Sequence, residues 1–389
     1  MAEGIRGNRK MSNTSTPSPA APSRPPREWQ PHMWEGCDFF AWARLLLKNR
    51  FLVSLSLLYV AFIVSFVSIW HTLLRWLQEA LYGSKLDRTP IRQAPIFIIG
   101  HWRTGTTFLH ELLILDERHT YPNTYQCLEP NHFLLTEGLV KRYLGFLMPS
   151  RRPMDNMQAG WDRPQEDEFA LCMMGQPSPY LTIAFPNNPP MDQEAFTLEK
   201  FSSRQREAWK SALQRFYRRV TFRDPRRLVL KSPTHTARVK TLLEMFPDAR
   251  FVHIVRDPYV VFPSTCNLWR TLYETHGLQR PPFPGVEEYV FRTFNLLYEA
   301  LERDRPLVHP TRFHELKYED LIRDPVGEMR KLYAQLELGE FDRVQPRLEA
   351  YLDANRGYQT NRYPNLTPEL KAEITRRWGE VIRRYGYST

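Results

Sequence analysis

Short apolar runs alternate with longer amphipathic stretches through most of the chain after residue 84. Apolar runs bounded by turn residues are typical of buried strands, and apolar residues that recur every three or four positions are typical of helices. We predict strands at 96–99, 228–230, 251–255 and 313–318, and helices at 166–174, 204–220, 236–246, 286–303, 325–336 and 368–384. Because alternating strands and helices favour a parallel sheet covered on both faces, we expect an α/β fold with three layers, αβα. The rest of region 120–200 is expected to be irregular.

The segment 51–74 contains no charged residue and is long enough to cross a bilayer, which takes roughly 20 apolar residues. Arg50 precedes it and Arg75 follows it, and Trp70 and Trp76 stand near one boundary as interfacial anchors. We expect a single membrane-spanning helix. The alternative is a long helix that lies in the membrane interface or packs on a partner. The excess of basic residues before the segment favours a cytoplasmic N-terminus, but the side on which the globular part lies stays open.

Composition divides the chain of 389 residues into three parts. We predict a disordered tail over residues 1–36, which are rich in Pro, Ser and basic residues. We predict a membrane-associated helical segment over residues 37–84 and a globular domain over residues 90–389. The formal net charge of +10 suits an anionic ligand or membrane surface. The basic residues are scattered and form no nucleic-acid motif, so no nucleic-acid partner is expected. The four cysteines are far apart and have no metal-binding spacing, so no metal site is predicted.

The most specific motif, Gly100-His-Trp-Arg-Thr-Gly-Thr-Thr-Phe108, follows the first predicted strand. A strand, a glycine turn and a helix aim backbone N–H groups and the positive end of the helix dipole at a phosphate. Gly100 and Gly105 have the spacing of a P-loop, but Thr106 stands where an ATP-binding loop has its lysine. The cation is instead Arg103, inside the loop. The motif therefore predicts a P-loop-like phosphate site of a different kind.

Two further strand ends carry matching signals. Arg256 follows strand 251–255, and Ser264 comes eight residues later; Tyr318-Glu-Asp-Leu ends the last strand. Together with the loop G-x-x-R-[ST]-G-T-T, these stretches resemble the sulfotransferases that use 3′-phosphoadenosine-5′-phosphosulfate (PAPS), in particular their membrane-associated branch, over about residues 90–335. The resemblance implies that 90–389 is a sulfotransferase catalytic domain, which moves a sulfuryl group from PAPS to an acceptor hydroxyl by in-line displacement.

The resemblance also implies where the donor nucleotide binds. Arg103 and the loop amides would hold the 5′-phosphosulfate, and Arg256 with Ser264 the 3′-phosphate. Tyr318 would lie near the adenine, with Phe108 stacking on the base. The predicted donor-binding residues are Gly100, Arg103, Thr104, Gly105, Thr106, Thr107, Phe108, Arg256, Ser264 and Tyr318.

The catalytic candidates are Arg103, Lys231, Glu166 and Glu168. Sulfuryl transfer chiefly needs positioned reactants and neutralised charge on the leaving phosphate, which suits Arg103 and Lys231 at a strand end. A general base must also take the proton of the acceptor hydroxyl. We prefer Glu166 or Glu168, because clustered acids can raise the pKa of one carboxyl group, although acids are also common in the first turn of a helix. The other candidates are Asp167, Glu129 and His132.

Two other functions stay open. One is a P-loop kinase or nucleotidase, against which Thr106 in place of the lysine argues. The other is a membrane-anchored protein that binds the nucleotide and transfers nothing. For the sulfotransferase we expect a hydroxyl-bearing acceptor (a lipid, a glycolipid or a glycan), a membrane as partner and no metal cofactor. The sequence leaves the identity of the acceptor open.

Overall fold

The computed structural model describes residues 32–143, 160–356 and 366–388. The predicted tail lies outside these residues up to position 31, but its last residues are described. Met33–Gly36 form a 3₁₀ helix, and the buried Trp34 donates its indole N–H to the carbonyl oxygen of His276 at 2.7 Å. The disorder predicted for 1–36 therefore does not extend to Met33.

Five parallel strands form the central sheet in the order β2-β3-β1-β4-β5. The strands are β1 Ile96–Ile99, β2 His119–Thr120, β3 Arg227–Lys231, β4 Arg250–Val255 and β5 Phe313–Lys317. Four of them are the predicted strands, and the two-residue β2 is too short to give a sequence pattern. The parallel α/β fold is thus confirmed.

Fourteen α-helices are found in the described part of the chain. They are α1 Phe39–Lys48, α2 Leu58–Asp87, α3 Thr106–Leu113, α4 Thr124–Leu128, α5 Phe133–Tyr143, α6 Asp167–Met173, α7 Ser203–Arg223, α8 Val239–Met245, α9 Pro258–His276, α10 Val286–Asp304, α11 Tyr318–Arg323, α12 Pro325–Gln335, α13 Gln345–Ala354 and α14 Pro368–Arg384. Besides Met33–Gly36, 3₁₀ helices cover Leu55–Leu57, Pro179–Ile183, Gln193–Phe196, Pro233–Ala237, Arg305–Leu307, Pro310–Arg312 and Phe341–Arg343.

Two helix predictions need correction. The helix predicted over 236–246 is interrupted at Arg238, whose non-helical backbone (φ −121°, ψ 15°) separates Pro233–Ala237 from α8. Region 120–200 is also less irregular than expected, since it contains α4 and α5 besides α6. Helix α4 has a capping box in which Asn123 accepts from the backbone N–H of Gln126.

Alternate residues of β1, β3 and β4 enter two different cores, as the pleat of a strand requires. On one face, Phe97 and Leu230 pack with Trp209 of α7. On the other face, Ile98 and Val229 pack with residues of α3 and α12. The sheet is therefore covered by helices on both sides, which gives the three layers predicted.

The N-terminal helices α1 and α2 pack on this core rather than standing apart from it. The buried positions of α2, among them Val60, Val64, Ser68 and Thr72, recur every four residues and form one face. The opposite face exposes large apolar side chains, and most large exposed apolar residues of the described chain lie between Phe39 and Leu81. The stretch Leu55–Asp87 is long and apolar enough to cross a membrane, although buried core helices can be equally so.

Candidate active site

Four predicted positions meet at one edge of the sheet because they follow the carboxyl ends of four neighbouring strands. Gly100 follows β1, Lys231 ends β3, Arg256 follows β4 and Tyr318 follows β5. In open α/β sheets ligands bind outside this edge of the strands. The predicted residues therefore lie along one edge of the sheet, although Gly100 and Lys231 are more than a hundred residues apart in the sequence.

The loop between β1 and α3 needs glycine at two positions. Gly100 and Gly105 have φ values of +148° and +101°, a region that disfavours side chains. A Cβ atom on Gly105 would also lie 2.3 Å from the ring of Tyr318. Gly105 precedes the first residue of α3, where the initial N–H groups have no acceptor within the helix. The loop thus combines close backbone approach with N–H groups that can bind an anion.

Arg103 and Arg256 are held together at the end of this loop. Arg103 has a positive φ of 69°, and its Nε donates to the Ser264 hydroxyl at 2.9 Å. Arg256 donates to the carbonyl oxygen of Arg103 at 3.2 Å, and its guanidinium carbon lies 4.1 Å from the ring centroid of Tyr318. The structure therefore brings the two arginines, the serine and the tyrosine into one cluster. A backbone held in the left-handed region costs free energy and is common at binding sites.

The remaining predicted residues are one threonine within the loop, and two threonines and a phenylalanine at the start of α3. Thr104 is buried and donates its hydroxyl to the carbonyl oxygen of His101 at 2.7 Å, which braces the turn. Thr106 and Thr107 begin α3, and Phe108 packs at the edge of the core that contains Tyr318. The two threonine hydroxyls thus lie beside the N-terminal amides of the helix.

Lys231 is connected to the loop through two side chains. Its Nζ donates to Glu166 at 2.7 Å, and Tyr180 donates its hydroxyl to the other carboxylate oxygen of Glu166. The indole N–H of Trp102, inside the loop, donates to the Tyr180 hydroxyl at 2.7 Å. Burial and the neighbouring Glu166 carboxylate raise the pKa of Tyr180 far above its usual range, so the phenol stays protonated. Lys231 is itself almost fully buried.

The three consecutive acids at the start of α6 have separate environments. Glu166 reaches the strand edge, but Glu168 is fully buried, pairs with Arg238 at 2.5 Å and accepts from Thr234 at 2.7 Å. Burial alone would raise the pKa of Glu168, but the Arg238 guanidinium lowers it overall. The pKa increase expected from clustered acids is therefore wrong for Glu168. Its enclosed carboxylate does not fit the role of a base.

Asp167 is equally enclosed. It accepts from His235 at 3.0 Å and from the hydroxyl groups of Ser232 and Tyr217. Although burial would raise its pKa, His235 and these hydroxyls lower it below the usual range of a carboxyl group. Asp167 and Glu168 thus anchor the start of α6 to the segment after β3. This anchoring leaves Glu166 as the acid of the cluster beside Lys231.

Glu129 and His132, the other base candidates, lie in a separate cluster with His71 of α2. His132 Nε2 lies 3.1 Å from Glu129 Oε2, and His71 Nδ1 lies 3.3 Å from the same oxygen. Neither Glu129 nor His132 pairs with Lys231 or with the loop in the described structure.

The hydrogen bonds that connect Trp102, Tyr180 and Glu166 could not be predicted from the sequence, since nothing in the sequence links three such distant positions.

A parallel sheet with a glycine loop and cations at its carboxyl edge defines a class of phosphate-binding α/β proteins, and comparison with known proteins narrows this class. The model of the sulfotransferase family matches residues 95–343. The omega-hydroxy-beta-dihydromenaquinone-9 sulfotransferase Stf3 of Mycobacterium tuberculosis is 52% identical over 361 residues, which cover 93% of this chain and 92% of that protein. Human carbohydrate sulfotransferase 6 is 24% identical over 291 residues, 66% of each chain.

Two solved structures share the fold. Sulfotransferase STF9 of Mycobacterium avium superposes with a TM-score of 0.62 at 21% identity and covers 80% of this chain and 81% of its own. Sulfotransferase STF1 of Mycobacterium tuberculosis gives a TM-score of 0.57 at 18% identity, with 88% and 92% covered. The chain belongs to the sulfotransferase family. It is an enzyme that transfers a sulfuryl group, as the loop with Arg103 indicated.

Proposed function

We propose that the donor is PAPS and that the edge formed by Gly100, Arg103, Lys231 and Arg256 binds it. The observation that carries this proposal is the meeting of three cationic side chains with a glycine loop and a helix N-terminus. Arg103 and the loop amides would hold the 5′-phosphosulfate, and Arg256 and Ser264 the 3′-phosphate. Tyr318 and Phe108 provide aromatic faces for the adenine. Guanidinium groups suit this task because they bind phosphate oxygens in pairs.

The chemical step requires a base and a neutralised leaving group. The acceptor oxygen attacks sulfur, the bond between sulfur and the bridging phosphate oxygen breaks, and 3′,5′-adenosine bisphosphate leaves. We assign the acceptor proton to Glu166 and the stabilisation of the leaving oxygen to Lys231 and Arg103. Lys231 would exchange its hydrogen bond with Glu166 for one to the donor, which frees a carboxylate oxygen. General-base catalysis of this kind contributes about 10²–10⁴-fold to a rate.

For the acceptor we propose a membrane lipid that carries a terminal hydroxyl, as in a hydroxylated polyprenyl quinone. The relative that is 52% identical is named for such a quinone, and the similarity extends over nearly the whole of both chains. The surface of α1 and α2 agrees with a lipid because it exposes a continuous apolar face. Trp102 of the loop and the buried residues Val60 and Val64 of α2 belong to one core, so the helix and the loop are parts of the same packed unit.

The same surface suggests how the enzyme meets the membrane. The buried positions of α2 run from Val60 to Leu86, so nearly the whole helix packs on protein along one side. A helix that crosses a bilayer would need to leave the globular part over about 30 Å. We therefore propose that α2 lies in the membrane interface with its exposed apolar face among the lipids. This choice replaces the spanning helix that the sequence favoured.

The experiment that tests donor and acceptor uses the full chain, because α2 is part of its core. Calorimetric titration with 3′,5′-adenosine bisphosphate should show binding without added metal, and Arg256→Ala should weaken it by at least about tenfold, as the loss of a bidentate phosphate contact would. Arg312→Ala is the matched control, since Arg312 bonds the carbonyl oxygen of Pro247 at the opposite end of β5.

The acceptor is tested with radiolabelled PAPS in lipid vesicles. A polyprenyl quinone with a terminal hydroxyl should be labelled, and the same quinone without that hydroxyl should not. If neither quinone is labelled and the label is found on a glycan, the proposal of a lipid acceptor is overturned, whereas the proposal that PAPS is the donor stands. Failure to bind 3′,5′-adenosine bisphosphate, with binding of ATP and Mg²⁺ instead, would overturn the donor as well.

A further inference from the structure

His71, Glu129 and His132 converge on one point between α2 and the turn that joins α4 to α5. His71 lies on α2, whereas Glu129 and His132 both lie in the turn that precedes α5. One oxygen of Glu129 lies 3.3 Å from His71 Nδ1 and 3.1 Å from His132 Nε2, and all three atoms are within 4.8 Å of one another. Zinc bound at about 2.0–2.1 Å in tetrahedral geometry separates its ligand atoms by roughly 3.3 Å. The two distances to Glu129 are therefore those expected between ligands of one metal ion, and the two nitrogens lie within 4.8 Å of each other.

The three atoms face one another without hydrogen bonds. His71 Nδ1, Glu129 Oε2 and His132 Nε2 are each buried and have no hydrogen-bond partner among the described residues. His132 is 2% exposed, so solvent does not satisfy its nitrogen. Buried polar atoms are almost always paired, and three unpaired ones aimed at the same point call for a common partner.

The position of the proton on the His132 ring indicates that the common partner of the three atoms is a cation. Thr136 donates its hydroxyl to the carbonyl oxygen of His132 and accepts from the Tyr125 hydroxyl, so toward His132 Nδ1, at 3.0 Å, its oxygen can only accept. Nδ1 therefore carries the proton, and Nε2 presents a lone pair to the Glu129 carboxylate. Two lone pairs at 3.1 Å repel unless a cation lies between them. A metal-binding histidine usually donates its second ring N–H to an acceptor, as His132 does here to the Thr136 oxygen.

A second carboxyl group lies beside the cluster. Burial raises the pKa of Glu35, on the neighbouring 3₁₀ helix, and the charge of Glu129 raises it further, so two carboxyl groups lie near one another. Burial lowers the pKa of His71 by more than the Glu129 carboxylate raises it. Neutral imidazole is the form that binds metals.

We propose that His71, Glu129 and His132 bind one divalent transition-metal ion, and that this ion ties the apolar helix α2 to the catalytic domain. Two imidazoles and a carboxylate suit Zn²⁺, with a water molecule or Glu35 as the fourth ligand. The site is separate from the donor-binding edge and is independent of the proposed transfer mechanism. Gln78, about two turns further along α2, already bonds the same segment, since it donates to the carbonyl oxygen of Asn131 and accepts from the N–H of Leu134. The ion would secure the other end of this contact.

The test measures metal in the full chain, purified through a tag that contains no histidine. Mass spectrometry of the metal content should give about one zinc per chain after dialysis against metal-free buffer, and competition with a chelator gives the affinity. Glu129→Gln and His132→Ala should each weaken zinc binding by at least about tenfold, in line with the loss of a ligand. His309→Ala, an exposed histidine elsewhere, should leave it unchanged.

Binding of 3′,5′-adenosine bisphosphate by each variant shows that it is folded. Should a variant lose that binding, Co²⁺ added to the wild-type chain decides the question, because tetrahedral nitrogen and oxygen ligation gives strong visible absorption. Hydrogen exchange in residues 58–87 should also increase when the metal is removed. A folded wild-type chain that binds neither Zn²⁺ nor Co²⁺ at micromolar concentration would overturn the proposal, as would ligand variants that bind metal like His309→Ala.

Discussion

Glu166, Asp167 and Glu168 are adjacent in sequence and do three different things in the structure. Glu166 pairs with Lys231 at the strand edge, whereas the other two anchor α6 inside the core. The sequence predicted that this cluster matters but could not show which acid faces outward. That direction depends on the extended backbone of Glu166 (φ −76°, ψ 125°) just before the helix begins and on partners up to 70 residues away.

Two single substitutions separate these roles. Glu166→Gln should lower the transfer rate by about 10²–10⁴-fold, because it removes the proposed base. It should also lower the free energy of unfolding, because the buried Lys231 loses its charged partner. Glu168→Gln should lower the free energy of unfolding by about 3 kcal/mol, because it leaves the Arg238 charge buried without its partner. The folded fraction of that variant should keep its rate. Denaturant unfolding and initial rates with labelled donor measure both, and a folded Glu166→Gln variant that keeps its rate would exclude Glu166 as the base.

At the scale of elements, helices with a regular apolar pattern could be predicted from the sequence, whereas elements that depend on contacts between distant segments could not. Helix α14 was predicted with the bounds that it has, Pro368–Arg384, because its apolar residues recur regularly after a capping threonine. Helix α5 was missed because few of its residues are buried, Phe133 and Glu137 among them, so no apolar stripe marks it. The cluster of His71 with His132 could not be found either. It joins segments about 60 residues apart with no motif spacing.

Strands β4 and β5 and helix α14 are joined by one carboxylate, which gives a pH-dependent contribution to stability. Glu315 of β5 accepts from His253 of β4 at 2.8 Å and from Tyr385, just after α14, at 3.0 Å. Burial would raise its pKa, but the hydrogen bond from His253 and the charges of His253 and Arg305 lower it to about 2. A pKa below that of the unfolded chain stabilises the fold above about pH 4.5, and this stabilisation is lost as the pH falls toward 2.

Glu315→Gln should therefore cost on the order of 2 kcal/mol at pH 7, after allowance for partial exposure, and almost nothing at pH 2. Urea unfolding at several pH values measures the difference from wild type. Glu349→Gln, at an exposed position of α13, is the control and should show no such trend. A difference that stays constant with pH would mean that Glu315 acts by packing alone.

At the scale of the whole molecule, the large exposed apolar side chains of the described residues are concentrated between Phe39 and Leu81, in the region of α1 and α2. Phe62 and Phe66 are 74% and 59% exposed on α2, although large aromatic residues are usually buried. Apolar patches of this extent mark membrane or protein contacts. The sequence predicted an apolar helix here. Only the packing of its other face on the core indicates that it lies along the protein rather than away from it.

Phe62→Glu combined with Phe66→Glu should reduce flotation with lipid vesicles by at least about tenfold, because two charges would enter the lipid face. Binding of 3′,5′-adenosine bisphosphate should not change. Leu307→Glu, which alters an equally exposed apolar residue elsewhere, should float like wild type. Alkaline carbonate separates the two membrane arrangements: extraction of the wild-type chain agrees with an interfacial helix, and resistance would restore the spanning one.

The ion pair between Lys231 and Glu166 has a consequence for the timing of the reaction. While the pair is closed, the lysine occupies the carboxylate oxygen that we assign to the acceptor proton. Under the proposed mechanism, binding of the donor therefore frees this oxygen and makes Glu166 available as the base. A lipid acceptor that binds before the water-soluble nucleotide would therefore find no base available to take its proton. The enzyme would then follow a compulsory order, nucleotide first and lipid second.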